Sequence, residues 1–126
     1  MGTSATPKLA AQAGKLNIVI EQGATFNPVF TYTDENDALI DLTGYTARMQ
    51  LRDKIASTTI LDELTTENGG ITLGAVLGTI ALLFTATQTA AMSYTKAVYD
   101  LELINTTSVV TRLLQGSVEV SKETTR

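Results

Sequence analysis

The sequence predicts an all-β protein, an antiparallel β-sandwich of about eight short strands. Three observations carry that prediction. Apolar residues recur at every second position along most of the chain, the period of a strand with one face buried. Threonine supplies 22 of the 126 residues, against 6% aromatic and 17% charged, and a β-branched polar bias favours strands over helices. Turn signals interrupt the alternation at intervals of roughly ten residues, the spacing of a sandwich, Ig-like or jelly-roll-like, or of a small barrel, rather than of an α/β fold.

Residues 1–14 are small and polar and are expected to form a flexible N-terminal arm, with a single sandwich domain over 15–126. From Lys15, Leu16, Ile18 and Ile20 alternate with Asn17, Val19 and Glu21 as a first strand. Phe26, Pro28, Phe30 and Tyr32 share one face of a second. Pro28 donates nothing to a ladder, so that strand is expected at an edge or a bulge. Asp34-Glu35-Asn36-Asp37 is a turn of short polar side chains. Tyr45, Ala47, Met49 and Leu51 then alternate with Thr46, Arg48, Gln50 and Arg52, the cleanest strand signal in the chain.

A strand is expected over Thr58–Thr65, followed by an Asn68-Gly69 turn, which supplies positive φ at little cost. Ile71-Thr72-Leu73 is a short strand, and the apolar Thr79–Thr85 stretch should lie centrally in its sheet. Alternation stops from Ala86 to Ser93, where one short helix is expected with Thr85 or Thr87 as its N-cap. It resumes over Lys96–Ile104. Asn105–Ser108 closes a hairpin onto Val109–Leu114, and Gly116 is expected to mark a bulge or bend before a last strand over Ser117–Lys122.

Composition removes several chemistries. The chain has no Cys and no His, so thiolate nucleophiles, disulfides, Cys-ligated metals and the commonest general base are absent. A net charge of −4 argues against phosphate-driven nucleic-acid binding. The longest apolar run, Ile80–Phe84, falls far short of the roughly 20 residues of a spanning helix. No secretory h-region precedes the first strand, so synthesis in the cytoplasm is expected. No cofactor, metal, membrane or small-molecule substrate is expected.

Among possible sites, the Asp34–Asp37 loop with Asp41 offers oxygens to a calcium ion but lacks the EF-hand spacing, and a solvated turn explains it more simply. Asp62 and Glu63 project to opposite faces of a strand, whereas Asp100 and Glu102 share a polar face where solvent is the default; neither pair reads as catalytic. Arg48 and Arg52 flank Gln50 on one wet face, positioned to pair with Glu63 or Glu102 across a ladder or to meet another protein. Tyr45 and Tyr99 fall in phase with the core, while Tyr94, beside the helix, is the better candidate for an exposed anchor. The candidate interaction residues are therefore Lys8, Arg48, Gln50, Arg52 and Tyr94, in a protein that is not an enzyme.

Three stretches carry a resemblance: Glu21–Phe26, Asp41-Leu42-Thr43-Gly44 running into Tyr45–Arg52, and Tyr99–Leu103 with Val110–Val120. Together they resemble small β-sandwich structural proteins of tailed bacteriophages, similar to the N-terminal module of baseplate proteins that carry receptor-binding subunits. The resemblance implies a virion protein of the tail, baseplate or neck that meets other virion proteins and copies of itself in a symmetric assembly. It carries over no catalytic residue. The chain stops at Arg126, directly after the expected sandwich, which favours an adaptor, decoration or spacer. A module binding host receptors or glycans is the alternative, weakened by the absence of Trp.

Overall fold

The computed structural model describes residues 8–9 and 14–124. Its strands are β1 (Lys8–Leu9), β2 (Gly14–Lys15), β3 (Ile18–Glu21), β4 (Val29–Tyr32), β5 (Thr46–Arg52), β6 (Asp62–Thr65), β7 (Ile71–Leu73), β8 (Thr79–Leu82), β9 (Lys96–Ile104) and β10 (Val110–Ser121). One short helix, α1 (Ala86–Ala90), and a 3-10 turn at Ala75–Leu77 complete it. One sheet has the order β1-β4-β8-β7; the other runs β2-β10-β9-β5-β6, with β3 also pairing β10. The protein is all-β, with two sheets in a sandwich, as the alternation predicts.

The core lies between the sheets because each strand turns every second side chain inward. Ala47, Met49 and Leu51 of β5, Tyr99, Leu101 and Leu103 of β9, and Val118 and Val120 of β10 are buried from one side. Phe30 and Tyr32 of β4, Ile71 of β7, and Ile80 and Leu82 of β8 meet them from the other. Leu42, from the Asp-Leu-Thr-Gly element, is 1% exposed. Beside it, the Asp41 carboxylate accepts from the Thr43 amide and hydroxyl at 3.0 and 2.6 Å, local bonds that fix the entry to β5.

Most expected elements stand where the pattern puts them. β9 spans the expected Lys96–Ile104, and β8 lies between β4 and β7 in its sheet. The Thr85 hydroxyl accepts from the Gln88 amide while the Gln88 side chain accepts from the Thr85 amide, a reciprocal cap on α1. Asn68 Oδ1 accepts from the Thr65 and Gly70 amides, and Gly69 takes φ +80°, as the turn requires. That turn carries the chain from one sheet to the other, since β6 and β7 belong to different sheets.

Four expectations need correction. The strand expected over Thr58–Thr65 begins only at Asp62: Ile60 is exposed, and the Arg52 guanidinium holds the intervening loop through the Ser57 carbonyl. The helix ends at Ala90 rather than Ser93. The two C-terminal strands are one continuous strand, and the bulge falls at Leu113, between the Arg112 and Leu114 registers, not at Gly116. Finally, the sheets are not wholly antiparallel, because β1 pairs β4 in parallel and β2 and β3 pair β10 in parallel. The expected arm, residues 1–14, lies mostly outside the described residues; within it, Lys8–Leu9 pair with Thr31–Tyr32, and Gly14 pairs with Leu114.

One buried polar side chain ties the helix to the strand connection. Thr89 is fully buried; its hydroxyl donates to the Ala24 carbonyl at 2.8 Å and accepts from the Gly23 amide at 3.0 Å. Thr89→Val keeps the shape but leaves those two backbone groups unpaired, and is expected to cost about 1–3 kcal/mol of stability in urea unfolding.

Candidate functional site

The alternation that fills the core also decides what faces outward on the larger sheet. Register brings the outward residues into rows across the strands: Arg48 lies opposite Glu102, which lies opposite Arg112. In the next row Gln50 pairs with Glu63 on one side and Asp100 on the other, and Asp100 continues to Gln115 and Lys15. Directly opposed residues in an antiparallel ladder hold their Cβ atoms about 5 Å apart, so these polar side chains interact. The Leu113 bulge makes the rows possible. It lets Leu113 and Leu114 both enter the core while Arg112 and Gln115 stay outside, and a bulge bends the strand that carries it.

The resulting face is concave. It encloses about 740 Å³, lined by Lys15, Arg48, Gln50, Arg52, Asp100 and Arg112 among others, with Ile55 at the rim. Ile55 is 89% exposed. The Arg48 Nε donates to Glu102 Oε1 at 2.8 Å. The Gln50 amide donates to Glu63 at 2.7 Å and accepts from Arg52 Nη2 at 2.7 Å. Arg52 Nη1 also holds the Ser57 carbonyl at 2.9 Å. Arg112 lies 3.7 Å from Asp100 and donates to Gln115 at 3.3 Å. Arg52 is thus held through both terminal nitrogens, whereas the Arg48 and Arg112 side chains stay about half exposed, at 49% and 51%.

Asp100 is one of the residues lining this face. Partial burial and the neighbouring Glu102 carboxylate raise its pKa, against the opposing pull of Arg112, Arg48 and Arg52. Its ionisation therefore works against the fold. That penalty is absent below the ordinary carboxylate range and is fully present once the pH has passed the raised value. Carboxylate NMR is expected to place the Asp100 midpoint above the usual aspartate value of about 3.9, and Glu102→Gln is expected to bring it down.

Of the candidate interaction residues, the structure brings Arg48, Gln50 and Arg52 together on this face. Lys8 is elsewhere, in the edge strand β1 of the other sheet. Tyr94 is half-buried against the core rather than an exposed anchor: its hydroxyl donates to Asp62, and burial raises its pKa. Sequence reasoning missed Asp100, Arg112, Gln115 and Lys15 as members of the face. The outward phase of Asp100 was legible, but the bulge that keeps Arg112 and Gln115 on the same side was not.

The acidic pairs do not converge. Asp62 accepts from Tyr94 and Glu63 from Gln50 on the opposite side of β6, while Asp100 and Glu102 are engaged with arginines. Asp34 Oδ1 accepts from the Asn36 and Ala38 amides, the local bonding of a polar turn. Among the described residues no group of three or more His, Cys, Asp or Glu is placed to hold a metal ion, and no helix is long and apolar enough to cross a membrane.

No protein-family model matches the chain, and no curated protein matches it. Among solved structures it is similar to the N-terminal domain of phage TP901-1 ORF48, with a TM-score of 0.58 and 10% identity, over 91% of this chain and 95% of the other. The likeness extends over most of both chains. At this identity the likeness is one of fold: the chain has the β-sandwich architecture of a phage protein's N-terminal domain.

Proposed function

We propose that the protein is a non-enzymatic structural subunit of a phage particle, an adaptor or decoration protein of the tail, baseplate or neck that works through protein–protein contacts. The observation that carries this reading is the fold shared with a phage protein's N-terminal domain across 91% of the chain. The surface supports it. The concave sheet face carries paired arginines and carboxylates beside an exposed Ile55, a polar surface with an apolar element of the kind proteins use against one another. Its partners are other virion proteins and further copies of the chain, and its place is the virion.

Mass spectrometry and immunogold labelling of purified particles from the encoding phage test the reading. The chain is expected in intact particles at a fixed ratio to tail proteins, with label at the tail or neck. Its absence from particles would overturn the proposal. A glycan array probed with the purified protein separates the receptor-binding alternative. No specific binding is expected, because Tyr99 points into the core and the Tyr94 hydroxyl is engaged, leaving neither as a stacking platform.

A further inference from the structure

Charge is unevenly distributed on this acidic chain. The concave face gathers four of the nine Lys and Arg residues, Lys15, Arg48, Arg52 and Arg112, against the carboxylates Asp100 and Glu102. Arg48 donates its Nε to Glu102, and among the described residues its two Nη groups donate to no acceptor. A guanidinium so placed still presents a fork of donors matched to a carboxylate. Ile55 adds an apolar contact at the rim.

The complementary surface is on the other sheet. Beyond β4, the Asp34–Asp37 turn exposes Glu35 to solvent. It leads directly to Leu39, 53% exposed and paired through its backbone with Thr33. An exposed carboxylate close to an exposed leucine mirrors arginines next to an exposed isoleucine. The two surfaces belong to different sheets, so one molecule cannot close them on itself.

Deepening the assembly reading above and resting on it, we infer that the concave face receives the Asp34–Leu39 turn of a second copy of this chain. Glu35 meets Arg48 and Arg112, and Leu39 meets Ile55. Because the two surfaces differ, the contact is head-to-tail and leaves each copy one open site, the arrangement that builds rings or filaments rather than closed pairs. Opposed charges at its centre make it sensitive to salt.

Sedimentation of the full chain over a range of concentrations tests this with two variants altered only at half-exposed or exposed positions, Glu35→Lys/Leu39→Lys and Ile55→Glu/Arg112→Gln, each checked for native circular dichroism. The wild type is expected to gain mass with concentration, and less so at high salt. Each variant alone is expected to associate at least about ten-fold more weakly, a change of about 1.4 kcal/mol. Mixed in equal amounts, the variants are expected to form a two-chain species and stop there, since one retains only the concave face and the other only the turn. A wild type that stays monomeric, variants that associate as the wild type does, or a mixture that forms no two-chain species would each overturn the inference. Finding the chain in particles despite such a result would leave the structural role standing and remove only this contact.

Discussion

Leu101→Ala is expected to destabilise the protein by about 2–5 kcal/mol, the range measured for emptying a fully buried leucine site. Leu101 is 0% exposed at the middle of β9, opposite Met49 of β5 and Leu114 of β10, both buried. Strands on both sides hold their own positions through ladder hydrogen bonds, so the layer has little freedom to collapse into the space left behind. Single domains are stable by only about 5–15 kcal/mol, so this one change removes a large share. Urea unfolding measures it. The exposed neighbour Glu119→Ala, on the outer side of β10, is expected to move the midpoint far less, because it empties no space.

The second large effect is expected at Gly116. A Cβ at this position would lie 2.3 Å from the Leu16 carbonyl oxygen and 2.8 Å from its carbon, both backbone atoms. Gly116→Ala therefore forces the β2–β3 edge away from β10, at a cost of about 1–3 kcal/mol for an overpacked site. Two local readouts distinguish this from general loosening. The Tyr99 hydroxyl donates to the same Leu16 carbonyl at 2.6 Å, and burial pushes its pKa up to about 12. In the variant that pKa is expected to fall toward 10 as the ring meets water. Amides of Ile18–Glu21 are expected to exchange faster, while those in the β5–β9 pair keep their protection.

How far the sequence discloses this molecule depends on how local each cause is. Tyr45–Arg52 and Lys96–Ile104 were readable because strand phase is written in neighbouring residues; for the α1 cap the sequence left Thr85 and Thr87 open, and the reciprocal bonds with Gln88 single out Thr85. Gly116 was conspicuous, yet its reason is a backbone contact with Leu16 a hundred residues earlier, so a local reading assigns it the bend that Leu113 in fact makes. The parallel pairing of β3 with β10 is equally remote in sequence. On the candidate face, Arg48, Gln50 and Arg52 were visible as one wet stripe. Arg112 and Lys15 join them only through strand order, which alternation does not encode. Tyr94 was misread as exposed because its partner, Asp62, lies on a strand 32 residues earlier.

Strand alternation both fills the core and builds the outward face. The chain contains no cysteine, so single cysteines placed one at a time from Val98 to Leu103 report it directly through their rate of reaction with a soluble thiol reagent. Fast reaction at positions 98, 100 and 102 with protection at 99, 101 and 103 is the predicted result. Equal rates along the strand, or protection recurring every third or fourth position, would contradict it.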